Sequence, residues 1–432
     1  MRRTTFCTAL AFALALLAPG AALAQHFEAI DTVPPANTGR FPAYEGAEPP
    51  RPLELFVEAG VEHDNNIFRL SKDSDARTVL GTSHRADTVT RVGAGIRYDQ
   101  RIIGRQRLRL EARGDQYNFD RFNELDHFNY GLLGEWGWEF TNDLSGTLGF
   151  ERRRRLIDLA AIQRPVKDLI TEDHAYATAA YLLGPHVRIR GGLDSNNAEH
   201  GDTTAALEAA GVADVRAHTV TGAVEYVTPL GNALGLEARR TFGNAPIQLV
   251  EGTVPVDNDF RETEVAAVLT WTASPRVHLT GRLGRTVRTH EQFADRNFNG
   301  TTGRVTGDWT PFNKTGFEFA AYREPRTIVD IASSFVLVRG VTLGPRWAPR
   351  EKLVLSALLV SEHQDFAGDP ATLVAGTEQR KEKVRGYRLG AAWEPARFTQ
   401  LSLGFDHGHR SSNLALRDYT YDIVMANLRI VY

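Results

Sequence analysis

From Leu53 to the last residue, Tyr432, the chain is built of segments in which apolar and polar residues alternate, and the connections between them alternate in length. In "RLRLEARGD", Leu108, Leu110, Ala112 and Gly114 point one way, while Arg107, Arg109, Glu111, Arg113 and Asp115 point the other. "HVRIRGGLD", "RVHLTGRLGR" and "LELFVEAGVE" repeat the pattern, which is that of a strand with one apolar and one polar face. Short connections rich in Gly, Pro, Asn and Asp fall at 100–106, 141–143, 183–186, 228–232, 273–276, 310–314, 348–351 and 394–397. Long polar ones lie near 70–86, 118–125, 154–171, 196–214, 244–258, 289–299, 325–334, 364–381 and 409–417. Successive short turns are about 37 to 46 residues apart, the length of one hairpin plus one loop. Eight short and nine long connections separate eighteen strands.

A soluble all-β protein has no reason to place every short turn at one edge and every long loop at the other. A transmembrane barrel of the bacterial outer membrane does, with an even strand number, short periplasmic turns and long outer loops. The sequence therefore predicts an all-β fold, a transmembrane antiparallel β-barrel of about eighteen strands. No stretch approaches the ~18 consecutive apolar residues of a helical span; "LVLSALLV" at 353–360 is among the longest apolar runs. Trp136, Trp138, Trp271, Trp309, Trp347 and Trp393 each fall close to a short turn, the level of one membrane interface.

The ends agree with this reading. "MRRTTFCTALAFALALLAPGAALAQ" has two arginines, an apolar stretch too short to span, and an A-x-A-like site at Ala22–Ala24. It reads as a signal peptide over 1–24, cleaved near Ala24. The single cysteine, Cys7, lies inside it, so no disulfide or thiolate-metal site is expected beyond. Residues 25–52 are proline-rich and read as a periplasmic lead-in, too short for a plug domain, and 53–432 form the barrel. At the other end, Tyr432, Ile430, Leu428, Ala426 and Val424 share one face of a terminal strand that ends on an aromatic. This resembles the signal read by the outer-membrane barrel assembly machinery, in which phenylalanine is the usual last residue.

If the apolar face meets lipid, the polar face lines the lumen. By parity the candidate lumen residues include Glu54, Glu58, Arg91, Arg97, Arg107, Arg109, Glu111, Arg113, Asp115, Arg188, Arg190, Asp194, Arg276 and Arg282. The chain carries 50 basic and 53 acidic residues, so no ion selectivity and no nucleic-acid partner follow from the count. The second and third strands are rich in arginine, and the first is acidic. Two arrangements are open: an acidic wall facing a basic one across the lumen, or cross-strand ion pairs that stiffen the wall. Between Phe335 and Trp347 apolar residues occupy both parities, and alternation assigns no face.

Other features carry less. "RRRR" at 152–155 could contact lipopolysaccharide phosphates or be a solvated charge run. "HGHR" at 407–410 is a weak metal signal, and no metal or other cofactor is expected. No catalytic motif is recognisable, so the chain does not read as an enzyme.

Asp64, Asn65, Asn66, Ile67, Phe68, Arg69 and Leu70, in "VEHDNNIFRL", together with the uniform barrel that follows, resemble the EpsL-type outer-membrane proteins of exopolysaccharide loci. These are grouped with the β-barrel porin 2 family. The resemblance implies a conduit or accessory for exopolysaccharide export, with periplasmic export proteins and polysaccharide as partners besides the bilayer and lipopolysaccharide. It implies no catalytic or binding residues. Two other readings stand beside it. One is a general diffusion porin for small polar solutes; the other is a structural barrel blocked by its own side chains or by the proline-rich lead-in.

Overall fold

The structure is a computed structural model that describes residues 52–201, 214–244, 259–291, 297–330, 333–367 and 379–432. The expected signal peptide, its expected cleavage site and the expected lead-in up to Arg51 lie outside the described residues. Among the described residues there are eighteen strands. They are Leu53–Asp64 (β1), Asp87–Ile103 (β2), Gln106–Phe119 (β3), His127–Glu139 (β4), Leu144–Leu156 (β5) and Leu169–Leu183 (β6). Then come Val187–His200 (β7), Val215–Val227 (β8), Ala233–Asn244 (β9), Phe260–Ser274 (β10), Val277–His290 (β11) and Phe298–Phe312 (β12). The last six are Thr315–Asp330 (β13), Ser333–Arg350 (β14), Leu353–Ala367 (β15), Lys381–Ala396 (β16), Thr399–Ser412 (β17) and Tyr419–Val431 (β18).

Each strand pairs antiparallel with its neighbours in sequence, and β1 pairs with β18, so the sheet has no edge. Closure is what hydrocarbon demands, because an unpaired backbone N–H or C=O there costs several kcal/mol. In the closing register Phe56 faces Val431, Glu58 faces Arg429 and Asp64 faces Ile423. The strands run from 12 to 18 residues, against ~9–11 for a tilted crossing. The surplus lifts the barrel beyond the apolar band on the side of the long connections.

The eight short connections fall where turn chemistry puts them. Gly104, Gly184 and Gly231 hold positive φ in three of them, a conformation glycine adopts without strain. One long connection is shorter than its sequence suggests. The polar run 325–334 reads as a loop, yet β13 continues to Asp330 and β14 resumes at Ser333. Residues 331–332 lie outside the described residues.

Leu55, Val57, Val92, Ile96, Leu110, Leu148, Leu193, Leu236, Leu283, Leu403 and Val424 are exposed on the outer surface. An apolar exterior of this extent fits lipid rather than water. Trp271, Trp309, Trp347 and Trp393 are about half exposed on that same face, at its short-turn end. In the stretch that alternation left open, Val341, Leu343 and Trp347 face outward, whereas Phe335 to Val338 are buried at either parity.

Among the described residues, the largest apolar cluster of buried residues lies in the long connections. Phe68, Leu70, Ala76, Leu80, Phe122, Leu125 and Leu159 pack with Val89 and Phe119, inward-facing residues at the upper ends of β2 and β3. Two short helices, Ala76–Leu80 and Leu159–Ile162, contribute to it. Gln163 Nε2 donates to the Arg69 carbonyl at 2.9 Å, and Lys167 Nζ to the Asp126 carbonyl at 2.6 Å. Three connections are thus tied into one structured rim at the mouth.

Candidate functional site: the polar lumen

Two-residue periodicity sends one set of side chains of every strand inward. In β1 these are Glu54, Phe56, Glu58, Gly60, Glu62 and Asp64. In β3 they are Arg107, Arg109, Glu111, Arg113, Asp115 and Tyr117. The candidate residues Arg91, Arg97, Arg188, Arg190, Asp194 and Arg282 occupy inward parity on β2, β7 and β11. Arg276 does not belong with them. It sits in the two-residue turn between β10 and β11, is exposed, and donates Nη1 to the Pro311 carbonyl at 2.9 Å. Parity loses its meaning where the chain reverses.

The charges are arranged in pairs along the wall. Because β1 hydrogen-bonds to β2, its acidic row lies beside the arginines of β2 and β3. Among the described residues, the acidic row of β1 is paired with the arginines beside it rather than set across the lumen from them. The centre of the arrangement is Glu58, whose side chain is fully buried. Its carboxylate lies 3.0 Å from Arg429 Nη1, 3.2 Å from Arg91 Nη2 and 3.7 Å from Arg113 Nη2. Arg113 also meets Asp115 at 2.9 Å, and Arg91 Nη2 donates to Asn427 Oδ1 at 2.7 Å. Nearer the short turns, Arg97 bridges Glu111 at 2.8 Å and Glu54 at 3.7 Å. Arg107 clasps Asp99, and Arg109 lies 3.8 Å from Glu111 with much of its side chain open to the lumen.

A second network spans β7 to β13. Arg188 and Arg190 share Glu225, at 2.6 and 3.1 Å, and Arg190 reaches Glu237 at 2.8 Å. Arg239 stands 2.7 Å from Glu237, Arg282 is 3.2 Å from Glu264, and Arg304 is 2.6 Å from Glu324. Asp194 is 2.6 Å from His174 Nε2. Threonine hydroxyls run between these pairs. Thr219 and Thr241 are 2.9 Å apart, Thr286 and Thr302 2.6 Å, and Thr302 donates to Glu264 at 3.2 Å. Together with Thr178, Thr221, Asp194, Arg239 and Arg282 these threonines line a cavity on the inner wall.

Several arginines stand over aromatic rings, a cation–π arrangement that fixes a long side chain. Arg429 lies 4.0 Å from the Phe56 ring centre, Arg69 3.8 Å from Tyr421, and Arg410 4.1 Å from Tyr419. Glycines opposite aromatics make room for such rings: a Cβ on Gly408 would come within 2.2 Å of Tyr421. In the connection after β1, the Asp75 carboxyl caps the first helix, accepting from the Thr78 hydroxyl at 2.6 Å and the Arg77 N–H at 3.0 Å. The Thr78 hydrogen bond, then that of Arg77, holds Asp75 below the ordinary carboxylate range.

The arginines and glutamates named above stand at alternate positions of their strands. Alternation missed the threonine rows, visible only as threonines at inward parity on β8, β9, β11 and β12, and it could not pair arginines with carboxylates. The four arginines of "RRRR" split by parity: Arg153 and Arg155 turn inward onto Glu172, whereas Arg152 turns outward onto Asp173. His407 and His409 face outward and bond Asp422 and Thr420.

A closed eighteen-stranded antiparallel barrel with an apolar exterior and a polar, ion-paired lumen defines a transmembrane protein of the bacterial outer-membrane class. Residues 284–432, from within β11 to the C-terminus, match the family model described as "Putative beta-barrel porin 2". Among solved structures, the chain is similar to the outer-membrane protein OpdK from Pseudomonas aeruginosa, at 10% identity and a TM-score of 0.45, over 88% of this chain and 99% of that one. It is similar to OccK9 (OpdG) from Pseudomonas aeruginosa, at 11% identity and a TM-score of 0.46, over 88% and 98%. It is also similar to the alcaligin outer-membrane receptor FauA from Bordetella pertussis, at 14% identity and a TM-score of 0.40, over 89% and 76%. No curated protein sequence matches the chain.

Proposed function

We propose that the barrel is a conduit for a hydrated, hydroxyl-rich substrate, and that exopolysaccharide on its way out of the cell is that substrate. One observation carries the reading. The inner wall of β6 to β13 sets threonine hydroxyls between arginines and carboxylates that neutralise one another. Such a surface offers donors and acceptors in quantity with little net field. Sugar hydroxyls can exchange among these groups, each bond being worth about 0.5–1.5 kcal/mol net. A channel must bind enough to admit and too little to trap, and many weak neutral contacts meet that condition better than one unpaired charge.

The match of residues 284–432 to a porin family supports the same class of function. A general porin for small polar solutes shares this wall chemistry and differs in the size it passes. Proteoliposomes loaded with fluorescent oligosaccharides of graded length test the reading. Release of long neutral chains, dependent on the barrel, is expected; release confined to mono- and disaccharides would make the protein a small-solute porin.

A further inference from the structure

Above the apolar band, the outer face of the barrel turns basic. On β14 to β17, Arg339, His363, Lys383, Arg385 and His409 are all exposed. Register places them together: Arg339 faces His363, His363 faces Lys383, and Arg385 faces His409. Residues directly opposite have Cβ atoms about 4.5–5.5 Å apart, so the five form one continuous patch. Below it on the same face stand Val341, Leu359, Leu389 and Leu403, which are exposed and apolar.

The height of the patch follows from the tryptophans. Arg339 precedes Trp347 by eight residues on β14, and Arg385 precedes Trp393 by eight on β16. With a rise of ~3.4 Å per residue and a tilt near 40°, that separation is roughly 21 Å along the membrane normal. The apolar band of such barrels is ~25 Å tall. With the tryptophans at one interface, these cations stand at the other, within reach of headgroups once their stems extend.

Their partners set them apart from the rest of the outer belt. Arg152, Arg216 and Arg261 each meet a carboxylate, Asp173, Glu199 and Glu291 respectively. Arg285 and Arg323 are held by Asn299 and by the Thr301 carbonyl. Within the patch, Arg339 pairs with Asp365 and His409 bonds Thr420. The side chains of Lys383 and Arg385 have no ionic or hydrogen-bonding partner among the described residues. A cation at the edge of hydrocarbon is costly unless an anion meets it, and the anions at that level are headgroup phosphates. Arg presents a fork suited to phosphate, and Lys a point charge beside it.

We propose that Lys383 and Arg385, flanked by Arg339, His363 and His409, form a binding site for a phosphorylated glycolipid headgroup of the outer leaflet. The site holds the barrel in its membrane and acts independently of what passes through the lumen.

Native mass spectrometry of the full-length barrel in mild detergent, titrated with diphosphorylated lipid A or its dephosphorylated form, tests this. Retention of diphosphorylated lipid is expected, with at least tenfold weaker binding by Lys383→Ala/Arg385→Ala and equally weak binding of the dephosphorylated form by the unaltered protein. Arg152→Ala/Arg216→Ala is expected to change binding less than twofold. Folding of each variant is read from heat-modifiable electrophoretic mobility, and Lys383→Gln/Arg385→Gln replaces the alanine pair if that pair does not fold. Undiminished lipid binding by the double variant, or equal binding of both lipids, would overturn the proposal.

Discussion

Asn65 and Asp422 hold the barrel's closing seam with three hydrogen bonds: the Asn65 N–H donates to the Asp422 carbonyl at 3.1 Å, the Asn65 side-chain amide donates to the Asp422 carboxylate at 2.9 Å, and the Asp422 N–H donates to Asn65 Oδ1 at 2.9 Å. They lie 357 residues apart in sequence. Next to them, Asn66 bonds the Leu70 and Thr420 carbonyls, and Arg69, at a positive φ of 53°, reaches Asp64 at 2.6 Å. The motif that opens the barrel is therefore a latch across its last strand, and Phe68 carries the next turn into the rim cluster.

Replacing Asn65 by Ala removes the two side-chain bonds. At about 0.5–1.5 kcal/mol for each, and with both partly exposed, a loss of about 1–2 kcal/mol is expected. Urea unfolding in bilayers, followed by electrophoretic mobility, reads it. Asn118→Ala, on the outer face of β3 away from the seam, is expected to change stability by less than half as much.

Glu58 anchors three guanidinium groups on three strands. Removing one partner of a buried ion network costs about 3–5 kcal/mol, because the remaining charges stay buried without compensation. Glu58→Ala is expected to lower barrel stability by that order, and Glu58→Ala with Arg429→Ala to recover part of it. A double-mutant cycle on the same unfolding assay gives the coupling; strict additivity would show that the network does not act as a unit.

The face assignment has its own test. Leu403 is 63% exposed on the outer surface, whereas its neighbour Ser402 points into the lumen. Arginine on the lipid face costs about 2–4 kcal/mol at the midplane and about 0–1 kcal/mol near the interfaces. Leu403, two residues above the level of Trp393, lies between the two, so a loss of about 1–2 kcal/mol is expected. Leu403→Arg should show that loss, and Ser402→Arg should be close to neutral.

Arg282 lies 3.2 Å from Glu264, 3.9 Å from Glu324 and 4.0 Å from Glu237. Arg282→Ala leaves those carboxylates with less compensation, so the lumen gains negative charge. Under a potassium chloride gradient the reversal potential is expected to shift toward cation selectivity; no shift would mean that this stretch of wall does not border the conducting path.

How much of this was readable beforehand depends on the range of the interaction. Strands and short turns follow from two-residue alternation and from glycine, proline and asparagine at fixed places, so β1 to β18 and their facing are local information. Arg276 has inward parity only if the alternation of β11 is carried one residue before Val277, into the turn. The 325–334 run reads as a loop because it is polar, yet its arginine serves the lumen, where Arg326 meets Glu362 beside the pair that Glu324 makes with Arg304. The Glu58 cluster and the Asn65–Asp422 latch depend on register and on closure of the first strand onto the last, which no local pattern encodes. The rim cluster was hidden for a related reason, since its apolar residues come from three connections that each look polar alone.

We propose that the lumen conducts and contacts polyhydroxyl chains weakly along a neutralised wall. Single-channel current through the refolded barrel in a planar bilayer, with neutral oligosaccharides added to one side, tests it most directly. Stable conductance with brief, reversible, concentration-dependent blockades that lengthen with chain length is the predicted result. Conductance indifferent to oligosaccharides, or none at all from a barrel shown to be folded, would contradict it.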